Sequence, residues 1–161
     1  GSPVRSGPTA TVGSPAIITA NAGTAQTDTV NQILPVNPQV RVADKFNNPI
    51  QGVPLTFQVM GSNGTVLPAT AIQTLANGTA AVTSWRLGTT SGTSRDTLTA
   101  TATGTGITGN PIRFVASALA GPPTQIAVWT GNNQQAITGN SVSTAPTGMY
   151  GHLYGGSGGR Q

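Results

Sequence analysis

Apolar and polar residues alternate along most of this chain with a period of two, which is the pattern of β-strands that bury one face. In the segment 53–60, for example, Leu55, Phe57 and Val59 alternate with residues of the opposite face. Helical spacing is absent from the sequence, because Gly or Pro interrupts nearly every stretch of about a dozen residues. The alternation predicts strands over 16–20, 38–43, 53–60, 71–75, 79–86, 96–103 and 112–118.

Turn signals separate these segments. Asn77-Gly78 lies between two β-rich runs and is the strongest hairpin signal, and Asn63-Gly64 is a further turn signal. About seven short strands at this spacing, without helices, predict an all-β protein: an immunoglobulin-like antiparallel β-sandwich with extended N- and C-terminal tails.

The same alternation selects the side chains that should fill the core of this sandwich. They are the large apolar residues that share one face of each predicted strand, together with the tryptophan of the 79–86 segment. The predicted core residues are Val40, Val42, Leu55, Phe57, Val59, Trp85, Leu98 and Phe114.

One stretch of the sequence recurs in pattern at an offset of 108 positions. Residues 14–26 reappear as 122–134, so that Pro15 is matched by Pro123 and Gln26 by Gln134. This offset is close to the roughly 100 residues of one immunoglobulin-like sandwich. The predicted organisation is an N-terminal extension over 1–12, one sandwich over 13–120, and a segment over 121–161 that holds the first strand of an incomplete second repeat and a Gly-rich tail.

The composition excludes several classes of protein. Charged residues make up 6% of the chain, where an average soluble domain has about 25%, and there is no Cys, no Glu and one His. The seven cations are scattered, whereas nucleic-acid binding needs them clustered, so no nucleic-acid partner is predicted. No apolar run approaches the roughly 18 residues of a membrane span. We expect no enzyme, no cofactor and no metal site.

Two segments match the residue patterns of functional motifs but lack the secondary structure that those motifs require. The glycines of 104–109 fit G-x-G-x-x-G, but a strand is predicted after them where a dinucleotide site needs a helix. The segment 155–159 fits G-x-S-x-G within a Gly-rich tail, without the strand and helix of a nucleophile elbow. His152 has no acidic residue near it in sequence, and Asp44 and Asp96 are predicted to cap turns.

Three parts of the sequence together resemble a known family. They are VRVAD at 40–44 followed by NPIQGVPLTF at 48–57, then NGTAAV at 77–82, then WRLGT at 85–89. These segments resemble the bacterial immunoglobulin-like domains of the invasin and intimin type, and the resemblance covers the predicted sandwich over 13–120. It implies an extracellular, often tandem, non-enzymatic module of adhesins and other surface proteins.

Three functions from different classes remain as expectations. The first is a structural subunit, extracellular or on the surface of a cell or virion, that self-associates into a filament or shell through its tails. A first strand without the rest of its sandwich has unpaired backbone groups that can pair with another copy, and the low charge favours close packing. The alternatives are an adhesin module for a host or matrix ligand, and a carbohydrate-binding module with Trp129, Tyr150 and Tyr154 as its platform. The candidate intersubunit contacts are Ile126, Val128, Trp129, Tyr150, Leu153 and Tyr154.

Overall fold

The computed structural model describes residues 13–151 and 159–160, and within these ranges the chain is all-β. The strands there are β1 (Ile17–Ala22), β2 (Gln26–Thr29), β3 (Gln39–Ala43), β4 (Pro54–Met60), β5 (Thr65–Leu67), β6 (Ile72–Gln73), β7 (Thr79–Ala81), β8 (Ser84–Arg86), β9 (Gly92–Ala102), β10 (Ile112–Leu119), β11 (Gln125–Thr130), β12 (Thr147–Gly151) and β13 (Gly159–Arg160). The predicted extension over 1–12 lies outside the described residues.

Strands β1 to β10 form two main sheets with one core between them. The first sheet has the order β1-β3-β7 and the second has the order β2-β10-β9-β4-β6, while β5 and β8 form a small additional pair. All pairs are antiparallel except β2 with β10, which is parallel. Apolar side chains of both sheets belong to a single buried cluster, so the arrangement is sandwich-like.

The side chains predicted for the core lie in it. Val59 is partly buried and packs against the cluster, and the other seven are buried. Trp85, Leu55, Leu98 and Phe114 are fully enclosed. Burial of a large apolar side chain contributes about 1.5–3 kcal/mol, so this cluster is the main source of stability in the sandwich.

The segment 79–86 differs from its prediction as a single strand. It forms β7 and β8, which belong to different sheets. The chain passes from one sheet to the other at two adjacent residues. Val82 N–H donates to Pro38 O at 3.1 Å, and Thr83 N–H donates to Leu67 O at 2.7 Å. A period of two continues through such a crossing, so the sequence pattern does not reveal it. Strands β2 and β5 are also additional to the predicted set.

Two loops predicted from glycine motifs have clear structural roles. Gly78 has φ +75° and its N–H donates to Leu75 O at 2.8 Å, so the Asn-Gly turn forms, but it joins β6 to β7 across two sheets. The G-x-G-x-x-G segment connects β9 to β10. Its Ile107 is buried, and Thr108 N–H donates to Ala16 O at 2.9 Å, which fastens the loop to the start of β1.

The two predicted turn-capping aspartates both accept backbone hydrogen bonds. The Asp44 carboxylate accepts from the N–H groups of Phe46 and Asn48 at 2.9 Å each, and from Gly13 N–H at 3.2 Å. It also accepts from the Asn48 side-chain amide, and this bond, together with the backbone bonds, lowers the pKa of Asp44 to about 2. Asp96 lies inside β9 and accepts from Gly88 N–H at 2.8 Å, so it fixes a neighbouring loop.

Candidate functional site

Strands β11 and β12 repeat the pairing of β1 and β3 with every residue number increased by 108. Each pair is antiparallel, and each has one bulge at the same position, before its last paired residues. The paired residues are Ile18 with Val42, Thr19 with Arg41 and Ala20 with Val40 in the first copy, and Ile126 with Tyr150, Ala127 with Met149 and Val128 with Gly148 in the second. The sequence repeat is therefore also a repeat of backbone structure.

A glutamine side chain closes the loop after the first strand in both copies. In the first copy, Gln26 Nε2 donates to Gly23 O at 3.1 Å and to Val36 O at 2.8 Å, and its Oε1 accepts from Val36 N–H at 3.0 Å. One side-chain amide thus joins both ends of the loop from Gly23 to Val36. We call this arrangement the glutamine clamp.

The second copy contains the same glutamine clamp. Gln134 Nε2 donates to Gly131 O at 3.0 Å and to Thr144 O at 2.5 Å, and its Oε1 accepts from Thr144 N–H at 2.7 Å. Gly131 and Thr144 follow Gly23 and Val36 at the same offset of 108 positions as the strands. The matching atoms show that the repeat extends beyond the strands into the loop.

A glycine at the start of this loop is required in both copies. Gly23 has φ +82°, and a Cβ there would lie 2.7 Å from Pro38 Cα. Gly131 has φ +78°, and a Cβ there would lie 2.6 Å from Pro146 Cα. Only glycine fits such a left-handed residue against a neighbouring backbone.

The two copies differ in the solvent exposure of their apolar side chains. Ile18 is 2% exposed and Leu34 is 2% exposed, because the second sheet covers their face. Their counterparts in the second copy are Ile126, which is 83% exposed, and Val142, which is 41% exposed. The second copy therefore presents to solvent two apolar side chains whose counterparts in the first copy are buried.

This exposed face is apolar and uncharged. No charged residue occurs in β11 or β12, and every residue of β11 is exposed. Gly148 of β12 lies beneath Ile126, since a Cβ at this glycine would be 3.6 Å from Ile126 Cδ1. We call the face formed by Ile126, Val128 and Gly148 the second-repeat face. Strand β13 pairs with β12 at Met149 and Tyr150, on the edge where β7 pairs with β3.

The structure describes four of the six candidate intersubunit residues, and these four lie on β11 or β12. Ile126, Val128 and Trp129 lie on β11 and are exposed. Tyr150 lies in β12, paired with Ile126, and Leu153 and Tyr154 lie outside the described residues, as does His152. Sequence reasoning missed Val142 and the exposed Ile137. The signal for Val142 was present, because it follows the buried Leu34 by 108 positions.

The sequence matches no protein-family model and no curated protein. Within residues 13–151 and 159–160, no three His, Cys, Asp or Glu side chains come together in a way that could hold a metal ion. The same part of the chain contains no helix with the length and apolar character of a membrane span.

Proposed function

We propose that this chain is a non-enzymatic structural module of an extracellular or surface assembly, and that it associates with a second copy of itself through the second-repeat face. One observation carries the proposal: the strands of the second repeat keep the register of the first, while Ile126 is 83% exposed where Ile18 is 2% exposed. Exposed apolar surface of this kind is typical of association sites.

An immunoglobulin-like topology is part of this proposal. The order β1-β3-β7 corresponds to strands A, B and E of an immunoglobulin sandwich, and β4-β9-β10 corresponds to strands C, F and G. The parallel contact of β2 with β10 takes the remainder of the first-strand region to the opposite sheet. Together with the motif resemblance, this order supports a bacterial immunoglobulin-like module and hence an extracellular or surface location.

A second copy is the partner that best fits the second-repeat face. In the first repeat, Ile18 and Val40 are buried in the apolar cluster between the sheets, and they correspond to Ile126 and Gly148, so a suitable partner is another sheet with an apolar, uncharged face. A copy of this chain carries such a face, and two equal faces can pack about a two-fold axis. No charged residue of β11 or β12 opposes this contact by repulsion. Exchange of the tails over 122–161 between neighbouring copies is the route by which this contact would extend into a filament or shell.

Analytical ultracentrifugation of the full chain over a range of concentrations tests the proposal. We expect the wild-type protein to associate and Ile126→Asp to remain monomeric, since the substitution places a charge at the centre of the contact. The matched control is Leu75→Asp, which changes an exposed leucine in a turn of the sandwich and should leave association unchanged. Removal of residues 122–161 should leave a folded monomer.

Two results would contradict the proposed function. If the wild-type chain is monomeric at every concentration, the second-repeat face does not bind a second copy. If Ile126→Asp associates as the wild type does, the contact lies elsewhere.

A further inference from the structure

A second surface, on the sandwich itself, brings together cations that are distant in sequence. The outer face of β9 and β10 forms a cavity of about 410 Å³ with the end of β4. It is lined by two arginines, three hydroxyl side chains and the chain around Gly61: Met60, Gly61, Ser94, Arg95, Thr97, Thr99 and Arg113. An adjoining cavity of about 420 Å³ shares Gly61 and Arg95 with it. We call the two together the arginine groove.

The pairing of β9 with β10 explains how one of these arginines enters the groove. Arg113 pairs with Thr99, and its Nη2 donates to Thr97 Oγ1 at 3.1 Å. This bond lays the guanidinium along the outer face of the sheet. A guanidinium has five N–H groups, and in the described part of the chain Arg113 makes this one side-chain hydrogen bond, so its remaining donors have no protein acceptor where the side chain lines the groove.

A bulge positions the other arginine. The register of β9 against β10 shifts between Ala116 and Ala118, next to Ser94, which has φ +50°. Ser94 N–H donates to Ser117 Oγ at 3.0 Å, which holds this strained residue in place. A non-glycine residue in the left-handed region costs energy and occurs preferentially at functional sites, and bulges redirect side chains. Arg95 follows Ser94 directly, is exposed and lines both cavities.

No carboxylate lines the groove. The chain has three acidic residues, Asp28, Asp44 and Asp96. Asp28 accepts from Thr29 N–H, and Asp44 is bonded within its turn. Asp96 follows Arg95 but is fully buried on the opposite, inner face of β9. Within the described ranges neither arginine of the groove forms an ion pair, so both guanidinium charges remain available to an anion from solution.

We propose that the arginine groove binds an acidic oligosaccharide, with Arg95 and Arg113 donating to its carboxylate groups. Arginine is suited to carboxylates because its planar fork can donate two parallel hydrogen bonds. The hydroxyls of Ser94 and Thr99 can exchange hydrogen bonds with sugar hydroxyls, and the volume of each cavity lies in the range of small-molecule sites, roughly 300–1,000 Å³.

The lining favours a saccharide over other anionic ligands. A peptide or lipid partner would need apolar pockets for its side chains or tails, and Met60 is the one large apolar side chain here. A nucleic acid would need a longer row of cations and aromatic side chains for stacking. The groove and the second-repeat face lie on different strands, so each can be tested without the other.

Calorimetric titration of the full chain with a short oligogalacturonate tests the site. We expect binding that weakens with salt, and we expect Arg95→Gln and Arg113→Gln each to weaken it by about tenfold, as for loss of a charge-assisted hydrogen bond. The matched control is Arg41→Gln, which removes the same charge from β3 of the other sheet, where Arg41 is bonded to Asn47. It should change the affinity by less than about twofold. A neutral oligosaccharide of the same length should not bind.

Four outcomes would overturn the assignment. They are no binding of the acidic probe, equal weakening by Arg41→Gln, equal binding of the neutral oligosaccharide, and equal binding of an acidic peptide of the same charge. Backbone amide shifts in NMR spectra distinguish a folding defect from loss of the site. A folded Arg95→Gln protein keeps the wild-type shifts outside β4, β9 and β10.

Discussion

The β1–β3 pair and the β11–β12 pair share their register, bulge, glutamine clamp and loop glycine, yet the first contributes buried side chains to the core and β11 of the second is exposed. The shared features all arise from residues that are close to one another in sequence. The difference arises from β4, β9 and β10, which follow the first copy at long range and cover it. Local sequence therefore determines the shape of this sheet, whereas residues far along the chain determine whether it is buried.

This difference has an energetic consequence. A small sheet on its own is at most marginally stable in water, because burial of an apolar face supplies most of the free energy of folding. In the first copy Ile18 contributes to that burial, and in the second copy Ile126 does not. Contact with another copy is the means by which the second-repeat face would gain the same contribution.

The largest expected difference in stability is between the same isoleucine-to-alanine substitution made in the first copy and in the second. Ile18→Ala should lower the free energy of unfolding by about 2–5 kcal/mol, since it leaves a cavity in the core. Ile126→Ala removes an exposed side chain and should change the unfolding of the sandwich by less than about 0.5 kcal/mol. Urea denaturation at low protein concentration measures both. A similar loss for the two variants would show that Ile126 is buried in the monomer.

The glutamine clamps give the next largest effect. Gln26→Ala removes one acceptor and two donors from the loop between Gly23 and Val36, and we expect a loss of about 1–3 kcal/mol in the unfolding of the sandwich. Gln134→Ala should leave that transition unchanged and should increase hydrogen exchange of Thr144 N–H, its bonded amide. Loss of global stability in Gln134→Ala would contradict the expectation that the second glutamine clamp does not stabilise the sandwich.

The strands of the sandwich were largely predictable, because alternation depends on each residue's own face. The assignment of strands to sheets was not. Residues 79–86 keep their alternation while two adjacent amides change sheet, and β2 has the polar sequence QTDT, which carries no apolar signal. Its place in the fold depends on its parallel contact with β10, which lies far along the chain.

The candidate surfaces were predictable to different extents. The second-repeat face follows from the offset between the two copies, and the same offset identifies Val142 through Leu34. The arginine groove could not be found in this way. Arg95 and Arg113 belong to two different strands and appear as scattered cations in the sequence. An antiparallel pairing and a bulge bring them together, and neither has a sequence signature that identifies its register.

The turn after β3 should lose stability in acid. Asp44 occupies this turn, and its counterpart at the repeat offset is His152, which lies outside the described residues. The pKa of Asp44 is lowered to about 2 from an ordinary value of 3.8, because the folded state hydrogen-bonds the carboxylate. Its contribution to stability is therefore complete above about pH 4 and is lost as the pH falls toward 2.

We expect Asp44→Asn to be less stable than the wild type at neutral pH, by an amount that shrinks between about pH 4 and pH 2. Thermal unfolding of both proteins across this range measures the difference. Because Asp44→Asn has no carboxyl group at this position, its unfolding contains no contribution from titration of residue 44, and it serves as the reference for the wild type. A difference that stays constant down to pH 2 would mean that the carboxylate bonds do not stabilise the folded state.

The smallest expected effect is at a loop position where the copies differ in residue but agree in backbone. Asn31 has φ +63°, and Gly139, at the matching position of the second copy, has φ +88°. Asn31 N–H donates to Gly88 O at 3.0 Å and its carbonyl accepts from Arg86 Nη1 at 2.7 Å, so the bonds at this residue involve its backbone and survive a change of side chain. Glycine adopts this conformation without strain but gains more freedom on unfolding, and the two effects oppose each other. Asn31→Gly should therefore change the free energy of unfolding by less than about 0.5 kcal/mol, whereas Asn31→Val should cost about 1–3 kcal/mol because a β-branched residue is strained there. Equal stability of the Gly and Val variants in urea denaturation would show that the left-handed conformation is not what the two copies have in common at this position.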